Sequence, residues 1–184
     1  MKKINLILVI NTLIVLSLTS CEKEENTSSS NNNNNNNITN YLIYNGQKYP
    51  LEKCFILDVS FPTTSTYNYK VALTSKSITY NSFLNLIEGT GTGFVFEITT
   101  ATSSSYVGSF EMDTVSTYLE PGDICYSHIV VNEEFTLSPT HPIVMKRGYA
   151  SISMPASNTY LITGTFKDEN KKIATIYYKG EVIP

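Results

Sequence analysis

Cysteine and histidine are the residues of this chain best suited to nucleophilic or metal chemistry, and they occur close together once, at Cys125 and His128. A thiol activated by an imidazole needs direct contact between the two side chains. Residues three apart in a strand point to opposite faces, so the spacing favours a structural cysteine and a surface histidine over a catalytic pair. His141, beside Pro142, is expected to be a solvated loop imidazole. Two isolated histidines without an HExxH or CxxC pattern predict no metal site.

The other patterns that could carry catalysis are incomplete. The cluster from Gly89 to Gly93 lacks the spacing of a phosphate-binding loop, and the alternating segment after it favours a flexible turn that opens a strand. No GxSxG motif supplies a serine nucleophile, and no carboxylate pair stands out. The segment 168–170 begins like a calcium loop, but lysines follow where ligands and a glycine are needed, so we interpret it as a hairpin turn. We therefore predict a protein that is not an enzyme and uses no cofactor. Only export and scattered acids and histidines would support a hydrolase.

The first twenty residues have the layout of a secretory signal peptide. Lys2 and Lys3 precede an apolar stretch from Ile4 to Leu18. This stretch is interrupted by polar residues and is shorter than the about 20 apolar residues that span a bilayer, which favours cleavage. The segment from Leu18 to Cys21 resembles the lipobox of bacterial lipoproteins. That resemblance implies that Cys21 is acylated and becomes the first residue of the mature chain, and several acyl chains anchor a protein stably without a spanning helix.

A polar segment follows the anchor. Glu22-Lys23-Glu24-Glu25 is succeeded by a Ser- and Asn-rich run without large apolar side chains, so we predict a disordered tether over 21–39 and one folded domain over 40–184. The lipobox cysteine, the acidic cluster and the Asn/Ser-rich spacer together resemble Bacteroidota-type lipoproteins, in which acidic residues after the cysteine serve as a surface-export signal. The resemblance implies a lipid-anchored protein of the outer membrane that faces the cell surface.

Once Cys21 is lipidated, Cys54 and Cys125 remain as an even pair in an exported protein. An even pair in an oxidising compartment invites a disulfide bridge. Two separate buried thiols that act as small hydrophobes are the other alternative. Sequence does not decide between them, because a bridge requires Cα atoms within about 7 Å.

The composition of the domain favours strands over helices. Thirteen tyrosines and eight phenylalanines sit among many Ser, Thr and Asn residues, a mixture that suits pleated, half-buried surfaces. Turn signals recur along the chain, and Asn45-Gly46 predicts a type I′ hairpin whose second strand Pro50 places at an edge. The segment from Ser77 to Glu88 fits a strand or a short helix. Eight to ten short strands predict an all-β domain, either a single antiparallel β-sandwich or a lipocalin-like β-barrel.

Segments that include 93–98, 106–110, 148–152 and 160–180 resemble small β-rich domains of unknown function in Bacteroidota lipoproteins, for which no catalytic residues can be transferred.

The alternation of apolar and polar residues assigns an apolar face to several of the predicted strands. Each of these strands has one apolar side, which is formed in turn by Phe55, Leu57 and Val59, by Tyr69, Val71 and Leu73, by Phe94, Phe96 and Ile98, and by Tyr160, Ile162, Gly164 and Phe166.

The expected partners follow from charge and aromatic content. A net charge of −3 with one arginine, Arg147, provides no field for phosphates, so nucleic acid is not an expected partner. Tyrosine rings on a sheet face can stack on sugars or anchor a protein, and of Tyr177 and Tyr178 only one can lie on such a face. We expect a non-catalytic domain that binds a glycan or a protein partner. The alternative is a lipocalin-like carrier of a small apolar ligand.

Overall fold

Strands form all the regular structure in the residues that the computed structural model describes, which are 39–60, 65–84, 86–103, 106–112, 119–135 and 139–183. The strands are β1 (Tyr41–Tyr44), β2 (Gln47–Pro50), β3 (Lys53–Asp58), β4 (Tyr67–Thr74), β5 (Thr79–Asn81), β6 (Leu86–Thr100), β7 (Gly108–Glu111), β8 (Ile124–Phe135), β9 (Ile143–Ala156), β10 (Thr159–Asp168) and β11 (Ile173–Gly180). Within these ranges no helix is long and apolar enough to span a bilayer. The predicted signal peptide, Cys21 and the tether up to residue 38 lie outside the described residues.

The strands pair antiparallel in one open sheet. Their order is β2-β1-β11-β10-β9-β8-β6-β4-β3, while β5 pairs with β6 and β7 pairs with β9. The prediction of an antiparallel all-β domain is confirmed. The ladder does not close into a continuous barrel, so the architecture is a single sheet that folds over its own core.

Three local predictions about turns and strand positions are confirmed. Asn45 and Gly46 adopt φ angles of 51° and 77° between β1 and β2, as a type I′ turn requires. Strand β2, which ends at Pro50, is an edge strand. The turn at 169–170 joins β10 to β11, so the predicted final hairpin is also confirmed.

The sheet has two halves, which meet at both sides of the core. Strands β1, β2, β7, β9, β10 and β11 form the first half, and strands β3, β4, β5, β6 and β8 form the second. The halves join where β8 and β9 share two residue pairs, His128↔Val144 and Ile129↔Ile143. On the other side, the backbone N–H of Ile183 donates to the carbonyl of Cys54 at 2.8 Å. This contact lays the segment after β11 beside the edge strand β3.

Apolar side chains from both halves fill the space between them. Phe94 and Phe96 on β6 meet Phe166 on β10, with ring centroids 4.7 Å apart for Phe94 and Phe166 and 6.1 Å apart for Phe96 and Phe166. All three phenylalanines are fully buried. The alternation assigned to β4, β6 and β10 is therefore confirmed, because the apolar sides of these strands face this core.

A second, smaller cluster covers the outer face of the second half. It consists of Phe55, Ala72, Ile78, Val95, Val130 and Phe135, with Tyr80 and Ile87 packed against it. Strands β3, β4, β6 and β8 are thus buried on both faces at one end. On β3 the main core takes Cys54 rather than Phe55, so the alternating set Phe55, Leu57 and Val59 faces outward onto this second cluster and its surroundings.

The glycine cluster lies inside a strand, which corrects the prediction that it is a turn opening one. Strand β6 already begins at Leu86, and the ambiguous segment before it forms the β5–β6 hairpin instead of a helix. A Cβ at Gly91 would stand 2.3 Å from the Ser75 hydroxyl oxygen, and a Cβ at Gly93 would stand 2.5 Å from the Phe135 ring. The glycines therefore permit close packing over β6.

Candidate functional site

The outer face of the second half carries a row of polar side chains at the rim of the second cluster. The strand register aligns Leu57, Lys70, Glu97 and Tyr126 across β3, β4, β6 and β8. His128 lies two residues beyond Tyr126 on β8, so both side chains share this face. The sheet thereby brings one cation, one carboxylate, one phenol and one imidazole together from residues that are far apart in sequence.

These residues line a concave cleft of about 530 Å³. Its walls are largely aliphatic, and the cleft lies within the size range of small-molecule sites. The lining is formed by Leu57, Val59, Lys70, Leu86, Ile87, Val95, Glu97, Tyr126, His128, Val130, Phe135, Pro139 and Pro142. Such a surface offers apolar contact to a ligand and a few directed polar groups to orient it.

Lys70 and Glu97 form the charged pair of the cleft. The Lys70 Nζ atom lies 3.2 Å from Glu97 Oε1, and each side chain retains about a quarter of its exposure, at 28% and 26%. A pair of this kind contributes at most about 1 kcal/mol to stability, since water still screens it. Its charges remain accessible to a ligand that can hydrogen-bond with both.

His128 is buried on this face, which corrects the prediction of a surface histidine. Its exposed fraction is 7%, and its ring centroid lies 5.0 Å from that of Tyr126. Burial, together with the nearby charge of Lys70, lowers the pKa of His128 to about 4. At neutral pH the ring is therefore uncharged, with one nitrogen as a donor and the other as an acceptor.

The Nδ1 atom of His128 has no hydrogen-bond partner among the described residues. Leaving a buried polar atom unpaired costs about 1–3 kcal/mol, and such an atom in a native protein calls for an explanation. The atom is also fully buried, so a ligand in the adjoining cleft could pair with this nitrogen and remove the cost only if the ring turned toward it.

Cys125 occupies an irregular position beside this group. The pairing of β6 with β8 shifts between Glu97↔Tyr126 and Ile98↔Ile124, which leaves Cys125 as an extra residue. Its Sγ atom lies 3.5 Å from the Glu97 carbonyl oxygen and 3.8 Å from Glu97 Oε2. Burial and the Glu97 carboxylate raise the pKa of Cys125 to about 11, so the group is a thiol and not a reactive thiolate at neutral pH.

The bridge considered for Cys54 and Cys125 is not formed, and both are free thiols. Cys54 lies in the main core on β3, whereas Cys125 lies on β8, and strands β4 and β6 separate the two. Neighbouring strands are about 4.8 Å apart, so the separation exceeds the reach of a disulfide. Burial raises the pKa of the Cys54 thiol.

His141 is exposed, as its loop position predicted. The ring retains 76% of its exposure, and its Nδ1 atom lies 3.5 Å from Glu133 Oε1. No three His, Cys, Asp or Glu side chains in the described ranges are grouped to hold a metal ion.

No known protein family, curated protein or solved structure matches this chain. The cleft must therefore be interpreted from its own chemistry.

Sequence reasoning missed Lys70, Glu97 and Tyr126 as site residues. Strand alternation was sufficient to place Glu97 opposite the Phe94 and Phe96 face. It gave no means of pairing β4, β6 and β8 in register, and that pairing is what aligns the three side chains.

Proposed function

We propose that this protein is a lipid-anchored lipoprotein of the bacterial cell surface whose non-catalytic β domain binds a glycan or a protein partner in the cleft. The anchor is supported by the resemblance of the segment from Leu18 to Cys21 to a lipobox, and the surface location by the acidic and Asn-rich tether. The binding role is supported by the form and chemistry of the cleft.

The unpartnered Nδ1 atom of His128 is the observation that carries the binding proposal. A purely structural histidine at 7% exposure would be expected to pair both ring nitrogens. Here the ring stands beside an accessible ion pair and the half-exposed ring of Tyr126. An aromatic face, a charged pair and a neutral imidazole form a set that can hold a sugar ring or a polar side chain of a partner.

The chemistry of the same residues favours binding over catalysis. The raised pKa of Cys125 leaves it protonated, and the hydrogen bonds of its thiol go to Glu97. A thiol that stays protonated at neutral pH is a poor nucleophile.

The filled core favours an external site over a carrier that holds its ligand inside the sheet. Lipocalin-like carriers need an open interior. In this domain the phenylalanine rings of the two halves are in contact, and the core side chains are fully buried.

A glycan array and a pull-down from surface extracts test the binding proposal. The probe is the mature chain with Cys21→Ser, which prevents acylation. His128→Phe keeps an aromatic ring at this position and removes both nitrogens, and His141→Ala serves as the matched control. We expect binding that weakens at least about tenfold in His128→Phe and is unchanged in His141→Ala. Background signal with every probe, or equal binding by both variants, would refute the proposal.

Mass spectrometry of protein isolated from its host tests the anchor. We expect an acylated peptide that begins at Cys21, and we expect Cys21→Ser to release the protein from membranes. Protease added to intact cells should digest the wild-type domain. An unmodified Cys21 or a retained leading peptide would contradict the anchor, and complete protection from protease would contradict the surface location.

A further inference from the structure

Tyrosine rings and hydroxyl side chains lie on the outer face of the first half, away from the cleft. Tyr41 on β1 and Tyr177 on β11 are directly opposite, with ring centroids 5.7 Å apart and planes inclined by 18°. The Lys48 Nζ atom lies 4.4 Å from the centroid of the Tyr41 ring. Tyr178 faces the core, which confirms that only one of the two adjacent tyrosines lies on this face.

A third tyrosine extends the face toward β9. Tyr149 is 60% exposed and pairs with Thr165 on β10, which in turn pairs with Thr175 on β11. The register continues from Thr175 to Ile43 and Lys48. Four strand spacings of about 4.8 Å make this row about 19 Å long. Several sugar residues of an extended chain cover such a length, whereas a single sugar does not.

Positive charge is concentrated on the same face. Arg147 and Lys167 are directly opposite on β9 and β10, and Lys48 and Lys179 lie on β2 and β11. All four side chains are exposed. Strand alternation places them on the side of Tyr149 and Tyr177. The carboxylates of Glu111 and Asp123 lie beside Tyr149, at the end of this face where β7 pairs with β9. We call the surface formed by Lys48, Arg147, Lys167, Lys179, Tyr41, Tyr149 and Tyr177 the basic face.

The net charge of −3 gives no indication of this basic surface. Carboxylates outnumber lysines in the segment 51–135, whereas lysine and arginine outnumber carboxylates in the segment 143–180. The fold places the second segment largely in the first half of the sheet. The domain therefore presents a cationic surface although its overall charge is negative, and a surface of one sign attracts a ligand of the other.

We propose that the basic face is a second binding surface, which takes an extended acidic polysaccharide whose carboxylates pair with Arg147 and Lys167 while a sugar ring stacks on the exposed ring of Tyr149. Arg147 can hold a carboxylate with two parallel hydrogen bonds. The tyrosine faces suit the apolar side of a sugar ring. The face consists largely of hydroxyl, phenol and cationic groups, which matches a carboxylated sugar chain better than an acyl layer.

Binding to polygalacturonate tests this proposal, with dextran as the neutral polymer. The probe is the mature chain with Cys21→Ser. We expect binding to polygalacturonate that weakens as salt is added, and none to dextran. The double variant Arg147→Gln and Lys167→Gln should bind about tenfold more weakly, and Tyr149→Ala should also weaken binding. Lys76→Gln removes an exposed charge from the second half and should leave binding unchanged.

Further measurements distinguish binding at the basic face from binding in the cleft, and binding of an acidic polysaccharide from binding of other anionic partners. The cleft variant His128→Phe should bind polygalacturonate normally, so the two binding proposals fail independently. Thermal melting of each variant shows whether it is folded. Absence of binding to polygalacturonate, or equal loss of binding in Lys76→Gln, would overturn the proposal. Tighter binding to a DNA duplex or to anionic lipid vesicles would also overturn it in favour of that partner.

Discussion

The buried imidazole of His128 should make the domain less stable as the pH falls. In the unfolded chain its pKa is near 6.5, whereas burial and Lys70 lower it to about 4 in the folded domain. The unfolded state therefore binds a proton between these values that the folded state does not. Stability is complete above pH 6.5 and is lost as the pH falls to about 4, with a total effect of about 3 kcal/mol.

Urea unfolding measured between pH 8 and pH 4 checks this effect. We expect the wild-type free energy of unfolding to fall about 3 kcal/mol further over this range than that of His128→Phe, since other titrating groups are common to both chains. His141→Gln controls for the loss of an imidazole and should not reproduce the difference. Parallel pH curves for the wild type and His128→Phe would show that His128 is not a buried neutral base.

Three further predictions concern the core, the hairpin end and the cysteines. Phe94→Ala removes a fully buried ring that contacts Phe166 and should lower the free energy of unfolding by about 3–5 kcal/mol in chemical denaturation, whereas a loss below about 1 kcal/mol would contradict a filled core. Tyr44→Phe removes the 2.7 Å hydrogen bond that the Tyr44 hydroxyl donates to the buried Asp168 carboxylate and should cost about 1.5–3 kcal/mol at pH 7. Burial raises the pKa of Asp168, but the Tyr44 hydroxyl and backbone N–H groups lower it overall, so this loss should diminish as the pH falls through that lowered pKa, and a loss independent of pH would count against it. Thiol labelling of the mature chain with Cys21→Ser should detect two thiols after unfolding without reductant and slow labelling of Cys54 before it, whereas a mass lower by two hydrogens would reveal a disulfide.

Local sequence signals account well for the hairpins and the core faces. The Asn45-Gly46 turn depends on positive φ angles that these two residues adopt readily, so four residues of sequence determine it. The buried set Phe94, Phe96 and Ile98 follows from strict alternation in one strand. Both features depend on residues that are close in sequence.

The sequence-based predictions that were wrong or incomplete concern places where segments distant in sequence meet. His128 lies in the cleft beside the second cluster, which the β5–β6 hairpin and Phe135 assemble over β6. The glycines of β6 are needed because the segment 75–78 and Phe135 pack directly against them. Likewise, the basic face depends on the pairing of β9, β10 and β11, whereas the sequence provides only the net charge of the whole chain.

The imidazole nitrogen signals of the two histidines provide the most direct test of the cleft. In the mature chain with Cys21→Ser, labelled with ¹⁵N-histidine, His128 and His141 are the only imidazoles. When the tightest ligand from the glycan or partner screen is added, we predict that the Nδ1 signal of His128 moves as it gains a hydrogen-bond partner, while the signals of His141 stay in place. A bound ligand that leaves the His128 signals unchanged would contradict the account.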